Sequence, residues 1–219
     1  MFLILDSSLV VRIYSMQKKC YVFIDASNMF YGTPGRPNWR VDYMKLFSYL
    51  TYRYDAKQIF FYSGIETSGL DIDIPSTSSF PIKKVLAHLR RRGRSNGTVD
   101  KDNIQKYINR AKFFKKLEEF GYILRLKPIK HIRTDRGIKY KANCDVDLTF
   151  DMMRLENEYS SFILFSGDGD FELLLRYAKE KGKKFKVFSF KEKTANIIKT
   201  KYSKEYEDIS VLKEMLIQE

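Results

Sequence analysis

The chain has 219 residues, 44% of them hydrophobic and 15% aromatic, which excludes a disordered chain and suits one good-sized α/β domain. Lys and Arg outnumber Asp and Glu by 40 to 27, giving a net charge of +13 that favours a polyanionic partner through counterion release. Cys20 and Cys144 stand far apart and the only histidines are His88 and His131, so neither a zinc site nor a disulfide framework is expected, and the reducing cytoplasm is the expected location.

Taken in chain order, residues 1–11 are apolar apart from Asp6 and two serines, with no basic stretch before them and no cleavage site after them. Residues 1–15 read as an N-terminal extension or an extra edge strand, not a secretory signal. Residues 16–219 are expected to form a single domain, with a core over 20–190 and C-terminal helices over 191–219. Cys20–Asp25 is an apolar run ending in a carboxylate, the pattern of a buried parallel strand. A Gly- and Pro-rich loop over Gly32–Asn38 leads to a helix over Val41–Tyr54. A second buried strand follows at Gln58–Tyr62, then a long surface loop over Gly64–Phe80.

Helical spacing continues at Ile82–Arg92, with a break over Gly93–Gly97. It resumes at Asp102–Phe120, closed by Gly121 in the position after the helix end. Tyr122–Leu126 reads as a third strand, and the basic stretch to Lys141 as a hairpin turning at Asp135-Arg136-Gly137. Asp145–Glu158 is helical, Ser161–Ser166 a fourth strand, Phe171–Lys181 a helix and Lys184–Phe190 a fifth strand. Two short helices complete the chain, at Thr194–Thr200 and Ile209–Ile217. Strands alternating with helices predict an α/β fold: a three-layer α/β/α sandwich around a mostly parallel sheet of about five strands.

Open parallel sheets bind ligands beyond the carboxyl ends of their strands. Asp25 ends the first strand, Asp168 and Asp170 follow the fourth, and Asp145 begins a helix. Gathered carboxylates repel one another unless a cation compensates, and an all-oxygen donor set suits Mg²⁺ or Mn²⁺. Gly167 and Gly169 are expected to turn the backbone tightly so that the flanking acids project together. Asn28 is placed to hold a metal-bound water or to fix an Asp rotamer, and Asp151 to support the site. Asp147 is expected at its rim. Each acid also has a plainer reading. Asp145 or Asn143 caps the helix over Asp145–Glu158, Asp170 caps the next one, and Asp25 serves as a turn residue.

Two basic runs match a phosphate backbone: Arg90, Arg91, Arg92 and Arg94 beside His88, and Lys127, Lys130, Arg133, Arg136, Lys139 and Lys141 with His131. Tyr122, Tyr140 and Trp39 are candidate stacking faces for unpaired bases. Solvated basic surface, ordinary surface histidines and a packed Trp39 are the plain alternatives.

Three segments, YVFIDASNMFYG, KYKANCDVDLTFDMMRL and FILFSGDGDFELLLRYAKEKGKKFKVF, together resemble the NYN domain, in the LabA-like branch of the PIN-like nuclease superfamily. The first motif is carried by Asp25 and Asn28, the second by Lys141, Asn143, Asp145, Val146 and Asp151, and the third by Ser166 through Phe171. The resemblance covers roughly Cys20–Phe190. Ala142 departs from it, standing where the family often has Gly, and the region 64–98 matches no part of it. What it implies is a PIN-like fold, a divalent cation held by the acids, and endoribonuclease activity, with Ser166 ordering the site and Lys141 holding a strand of RNA, expected to be single-stranded. Two other functions compete: a non-catalytic module of this fold that binds RNA or protein, and a metal-dependent nucleotide phosphohydrolase.

Overall fold

A computed structural model describes residues 19–27, 40–73, 78–95, 101–135 and 137–217, so the expected extension over 1–15, Asn28, Trp39 and Arg136 lie outside the described residues. Six strands form one sheet: β1 (Cys20–Asp25), β2 (Ala56–Ile65), β3 (Ile123–Pro128), β6 (Ser161–Phe165), β7 (Lys184–Ser189) and β8 (Tyr206–Asp208). Their spatial order is β3-β2-β1-β6-β7-β8, and every neighbouring pair is parallel. β8 is a strand beyond the five expected. Its three residues YED carry no apolar alternation, and it forms because β7 offers an open edge, pairing Val187, Phe188 and Ser189 with residues 206–208.

Each central strand is apolar on both faces because helices cover both faces. Val22 and Ile24 pack with Leu46 and Leu50 of α1 (Tyr43–Tyr54), Val85 and Leu89 of α2 (Ile82–Ser95), and Ile104 and Phe114 of α3 (Lys101–Phe120). Tyr21 and Phe23 point the other way. They pack with Leu148 and Met152 of α4 (Asp145–Arg154), Leu174 and Leu175 of α5 (Glu172–Glu180), and Ile198 of α6 (Asn196–Lys201). Stacked aromatic pairs tie neighbouring strands together, Phe23 on Phe60 at 5.3 Å and Phe165 on Phe188 at 5.2 Å between centroids. A short helix α7 (Lys213–Leu216) returns to α1, where Val41 bridges Ile217.

Local chemistry sets several boundaries. Asp42 caps α1 by accepting from the Met44 and Lys45 amides. Gly121 holds φ +104 after α3, a conformation that favours glycine, and its Cα faces the Phe47 ring so closely that a Cβ would lie 2.7 Å from Cζ. The expected break at Gly93 is absent. α2 continues to Ser95 because packing against Ile104 leaves room only for a residue without a side chain, a Cβ there lying 3.1 Å from Ile104 Cγ2.

Outside the main sheet, β4 (Lys130–Thr134) and β5 (Gly137–Lys141) form a separate antiparallel hairpin. It leaves β3 after Ile129 and returns through residues 142–144 to the start of α4.

Candidate active site at the switch point of the sheet

Strand order reverses between β1 and β6, so their following segments part to opposite faces and open a crevice at the carboxyl ends. In dinucleotide-binding sheets of the same order such a crevice admits pyrophosphate. Here carboxylates line it, which is hostile to an anion unless a cation intervenes.

Asp25, the last residue of β1, is buried at 2% exposure. Its Oδ1 accepts from the Ser27 amide at 3.0 Å and the Ser27 hydroxyl at 2.6 Å. Its Oδ2 accepts from the Ser166 hydroxyl at 3.1 Å, across the crevice from the end of β6. Ser166 Oγ in turn accepts from the Asp168 amide at 3.3 Å, and Asp168 Oδ1 from the Asp170 amide at 2.9 Å. A continuous hydrogen-bonded chain therefore fixes Asp25, Ser166 and the turn bearing Asp168 and Asp170. Ser27 was not among the residues expected from sequence. Its signal is the Asp-Ala-Ser spacing, which lets a carboxylate take an amide two residues on.

Asp145 enters the same field from the first turn of α4. Its carboxyl is raised above the ordinary carboxylate range, first by partial burial and then by the charges of Asp25, Asp168 and Asp170. Three of the predicted acids thus act on the fourth. The plainer roles are partly filled: Asn143 Oδ1 accepts the Asp145 amide at 2.9 Å, Asp168, not Asp170, caps the short turn that precedes α5, and Asp25 holds a turn through the Ser27 amide. Among the described residues, no group of three or more His, Cys, Asp or Glu side chains stands ready as a metal cage. The acids share a field and an edge without having closed around a point.

Gly167 serves a different purpose from the one expected. It needs no unusual φ. A Cβ there would meet Thr194 Cα at 2.8 Å and the Lys193 carbonyl at 2.9 Å, and the Gly167 carbonyl accepts the Ala195 amide at 2.8 Å. Close approach of the segment after β7, not a tight turn, excludes a side chain. Cys144, buried beside the acids, has its thiol pushed up to about 12, mainly by burial and then by Asp147, which rules out a thiolate nucleophile.

Asp151 stands apart from this group. It is 2% exposed, accepts from the Tyr62 hydroxyl at 2.9 Å, and pairs with Arg125 at 2.8 Å and Arg154 at 2.6 Å. Its observed contacts tie α4 to the sheet. Asp147 pairs with Lys127 at 2.6 Å. A cavity of about 500 Å³ between β3 and α4 is lined by Phe80, Leu124, Leu126, Val146, Asp147, Phe150 and Asp151. None of the four clustered acids lines it; Asp25 is buried, Asp145 and Asp168 are half-buried and Asp170 is exposed.

Of the basic residues, Arg90, Arg91, Arg92 and Arg94 occupy the last turns of α2. Arg92 donates to the Ser68 carbonyl, which His88 Nε2 also contacts at 3.2 Å. Lys139 and Lys141 lie on β5. Tyr122 is a correction: it is buried, and its hydroxyl donates to the Tyr43 carbonyl at 2.7 Å, because the residue preceding β3 packs under α1. It has no face free for a base.

Comparison with known proteins matches residues 69–208, more than half of the chain, to the family described as NYN domain. The matched range begins after β2 and leaves out Asp25, although the fold sets that residue against Ser166. The low amplitude and bright protein LabA of Synechococcus elongatus is 35% identical over 68 residues, 30% of this chain and 37% of that protein. The matched stretch is thus well under half of LabA's length. Among solved structures, a protein of unknown function from Vibrio parahaemolyticus has the same fold, with a TM-score of 0.56 at 19% identity, covering 93% of this chain and 98% of the other. No helix among the described residues is long and apolar enough to cross a membrane.

Proposed function

Because this chain belongs to the NYN domain family, within the PIN-like nuclease superfamily, we propose that it is a metal-dependent endoribonuclease. The observation that carries the reading is the hydrogen-bonded chain that joins Asp25 through Ser166 to Asp168 and Asp170, with Asp145 entering their field from α4. Four carboxylates at a sheet's switch point are costly unless a cation is part of the working state. Their oxygen donors match Mg²⁺ or Mn²⁺ in chemistry and charge, and Asp25, Asp145, Asp168 and Asp170 are the residues that would hold it. A divalent ion there supplies Lewis acidity for attack of water on a phosphodiester and charge neutralisation at the leaving oxygen.

The protein's own residues do the positioning. Ser27 and Ser166 fix both oxygens of Asp25, so this acid presents its remaining lone pairs in one orientation. The Ser166–Asp168–Asp170 chain holds the second pair of acids, and packing of the 193–195 segment on Gly167 keeps that turn against the sheet. Arg90, Arg91, Arg92, Arg94, Lys139 and Lys141 supply cationic surface for the RNA backbone. In-line attack by water leaves a 5′-phosphate and a 3′-hydroxyl.

The test is cleavage of an end-labelled RNA panel with Mn²⁺, with Mg²⁺ and with EDTA, beside the Asp168→Asn/Asp170→Asn variant. Cutting that needs the metal, is lost in the variant and leaves 5′-phosphates is the expected result. Three outcomes overturn the reading: 2′,3′-cyclic phosphate ends, release of inorganic phosphate from mononucleotides in place of internal cutting, or RNA bound by folded protein and left intact under every metal.

A further inference from the structure

We propose that the β4–β5 hairpin is a grip for single-stranded RNA, with Tyr140 stacking on an unpaired base, Arg133 on the same face holding the adjoining phosphate, and Lys130 and Lys141 adding positive charge on the opposite face. The assignment of the polyanion as RNA rests on the nuclease reading above; the grip itself rests on the hairpin.

The hairpin is not needed to complete the sheet. Among the described residues, β3, which precedes it, pairs only with β2, and β4 and β5 pair only with each other. All five residues of β4 are exposed. Such a ribbon buries little apolar surface, so its residue choice answers to something other than a core.

Its charge is one-sided. Residues 130–141 read KHIRTDRGIKYK, with five Lys or Arg against one Asp. Lys130, Arg133 and Lys141 form no ion pair with any described residue. The register sets Lys130 directly opposite Lys141, a like-charged cross-strand pair that destabilises an isolated ribbon. An anion lying along the ribbon relieves that repulsion.

The next pair is aromatic. His131 stands opposite Tyr140, the rings meeting edge to face at 4.9 Å. Tyr140 remains 58% exposed, held by its neighbour yet open to solvent. Aromatic faces interleaved with cations are the general equipment for unpaired strands, since every base has a face to stack. An A-form duplex instead buries its base faces and offers a major groove too narrow for side chains to read.

The hairpin is anchored where a grip is useful. His131 Nε2 meets Glu66 Oε2 at the turn after β2, and the same turn carries Ser68, the residue that Arg92 of α2 contacts. Lys141 precedes the site acid Asp145 by only four residues. The hairpin therefore joins directly to the helix that carries this acid.

The experiment uses the full chain in EDTA, so that binding is read without cutting, with a fluorescent oligouridine 12-mer titrated over several salt concentrations. Tyr140→Ala is expected to weaken binding roughly tenfold at an unchanged salt slope, with Tyr140→Phe restoring it, the range for loss of one stacked base. Arg133→Ala is expected to lower the slope of log affinity against log salt by about 0.7, for the one single-strand phosphate left without its cation. The exposed hairpin lets these variants keep their fold, which a thermal melt checks. Hairpin variants that bind within twofold of the parent, or a duplex RNA of equal length that binds more tightly than the single strand, overturn the proposal. Failure of the nuclease reading looks different: hairpin-dependent binding persists, and no metal brings cleavage.

Discussion

Asp145 is held in place at a cost to the fold. Its carboxyl is raised above the reference value of 3.8 by partial burial and by Asp25, Asp168 and Asp170, so the folded chain binds that proton more readily than the unfolded one. A raised folded-state value means that the group's contribution to stability is fully present below the unfolded value. It is lost as pH rises through the folded one. At neutral pH and without metal, the charged side chain therefore works against folding. Asp145→Asn removes the charge while keeping the shape. It is expected to raise the melting temperature of the EDTA-treated protein by roughly 1–4 °C at pH 7. The gain should shrink as the pH falls into the carboxylate range. Melts from pH 4 to 8 check this, and a variant no more stable than the parent at pH 7 contradicts the field that the four acids set up. Asp151 shows why residue type alone does not reveal such roles. It sits six positions after Asp145 in the same acidic helix, yet beside Arg154 of that helix its partners Arg125 and Tyr62 come from β3 and β2. Only the folded register of α4 against β2 and β3 separates an acid paired in the interior from one held at the crevice.

Elements whose apolar pattern is complete were legible in the sequence. β1 runs over Cys20–Asp25 as expected, and α1, α3 and β6 agree within two residues, since an uninterrupted apolar run or a capped helical stripe leaves one solution. β8 and the course of α2 past Gly93 were not, because each is decided by a neighbour: the open edge of β7 in one case, Ile104 in the other. The join between β2 and the start of α4 shows the same dependence at closer range. A Cβ on Gly64 would lie 2.7 Å from the Ala142 Cβ and 3.1 Å from Ile129 Cγ1. Ala142, which departs from the usual family glycine, is thus accommodated by a glycine on the facing strand. Gly64→Ala alone should cost about 1–3 kcal/mol through overpacking. Combined with Ala142→Gly it should cost less, with a favourable coupling of roughly 1 kcal/mol. Urea denaturation of the four proteins of the cycle measures the coupling. Strict additivity would mean that the two elements adjust independently, and that the departure at Ala142 is unrelated to Gly64.

Across the whole molecule, a basic chain concentrates four acids at one place, and topology decides where. Only the reversal of strand order between β1 and β6 brings Asp25 to Ser166 across 141 positions of sequence, which is why the acids were nameable one by one but their hydrogen-bonded order was not. A net charge of +13 disfavours compaction and repels free cations at long range, so any tight divalent binding has to arise from the local field of these acids. Metal and fold are then linked by mass action. If an ion binds the folded acids and not the unfolded chain, saturation at a hundred times its dissociation constant stabilises by about 2.7 kcal/mol, or roughly 5–11 °C for a chain of this size. Mg²⁺ or Mn²⁺ should therefore raise the melting temperature of the parent, and EDTA should reverse the rise. Asp168→Asn/Asp170→Asn should lose most of it. NaCl at matched ionic strength separates the effect from general screening, which relieves the positive surface in parent and variant alike. Equal stabilisation of the two proteins by Mn²⁺ would mean that the ion acts on the surface at large. The four acids would then hold their shared field without a cation, and the strain at Asp145 would need another purpose.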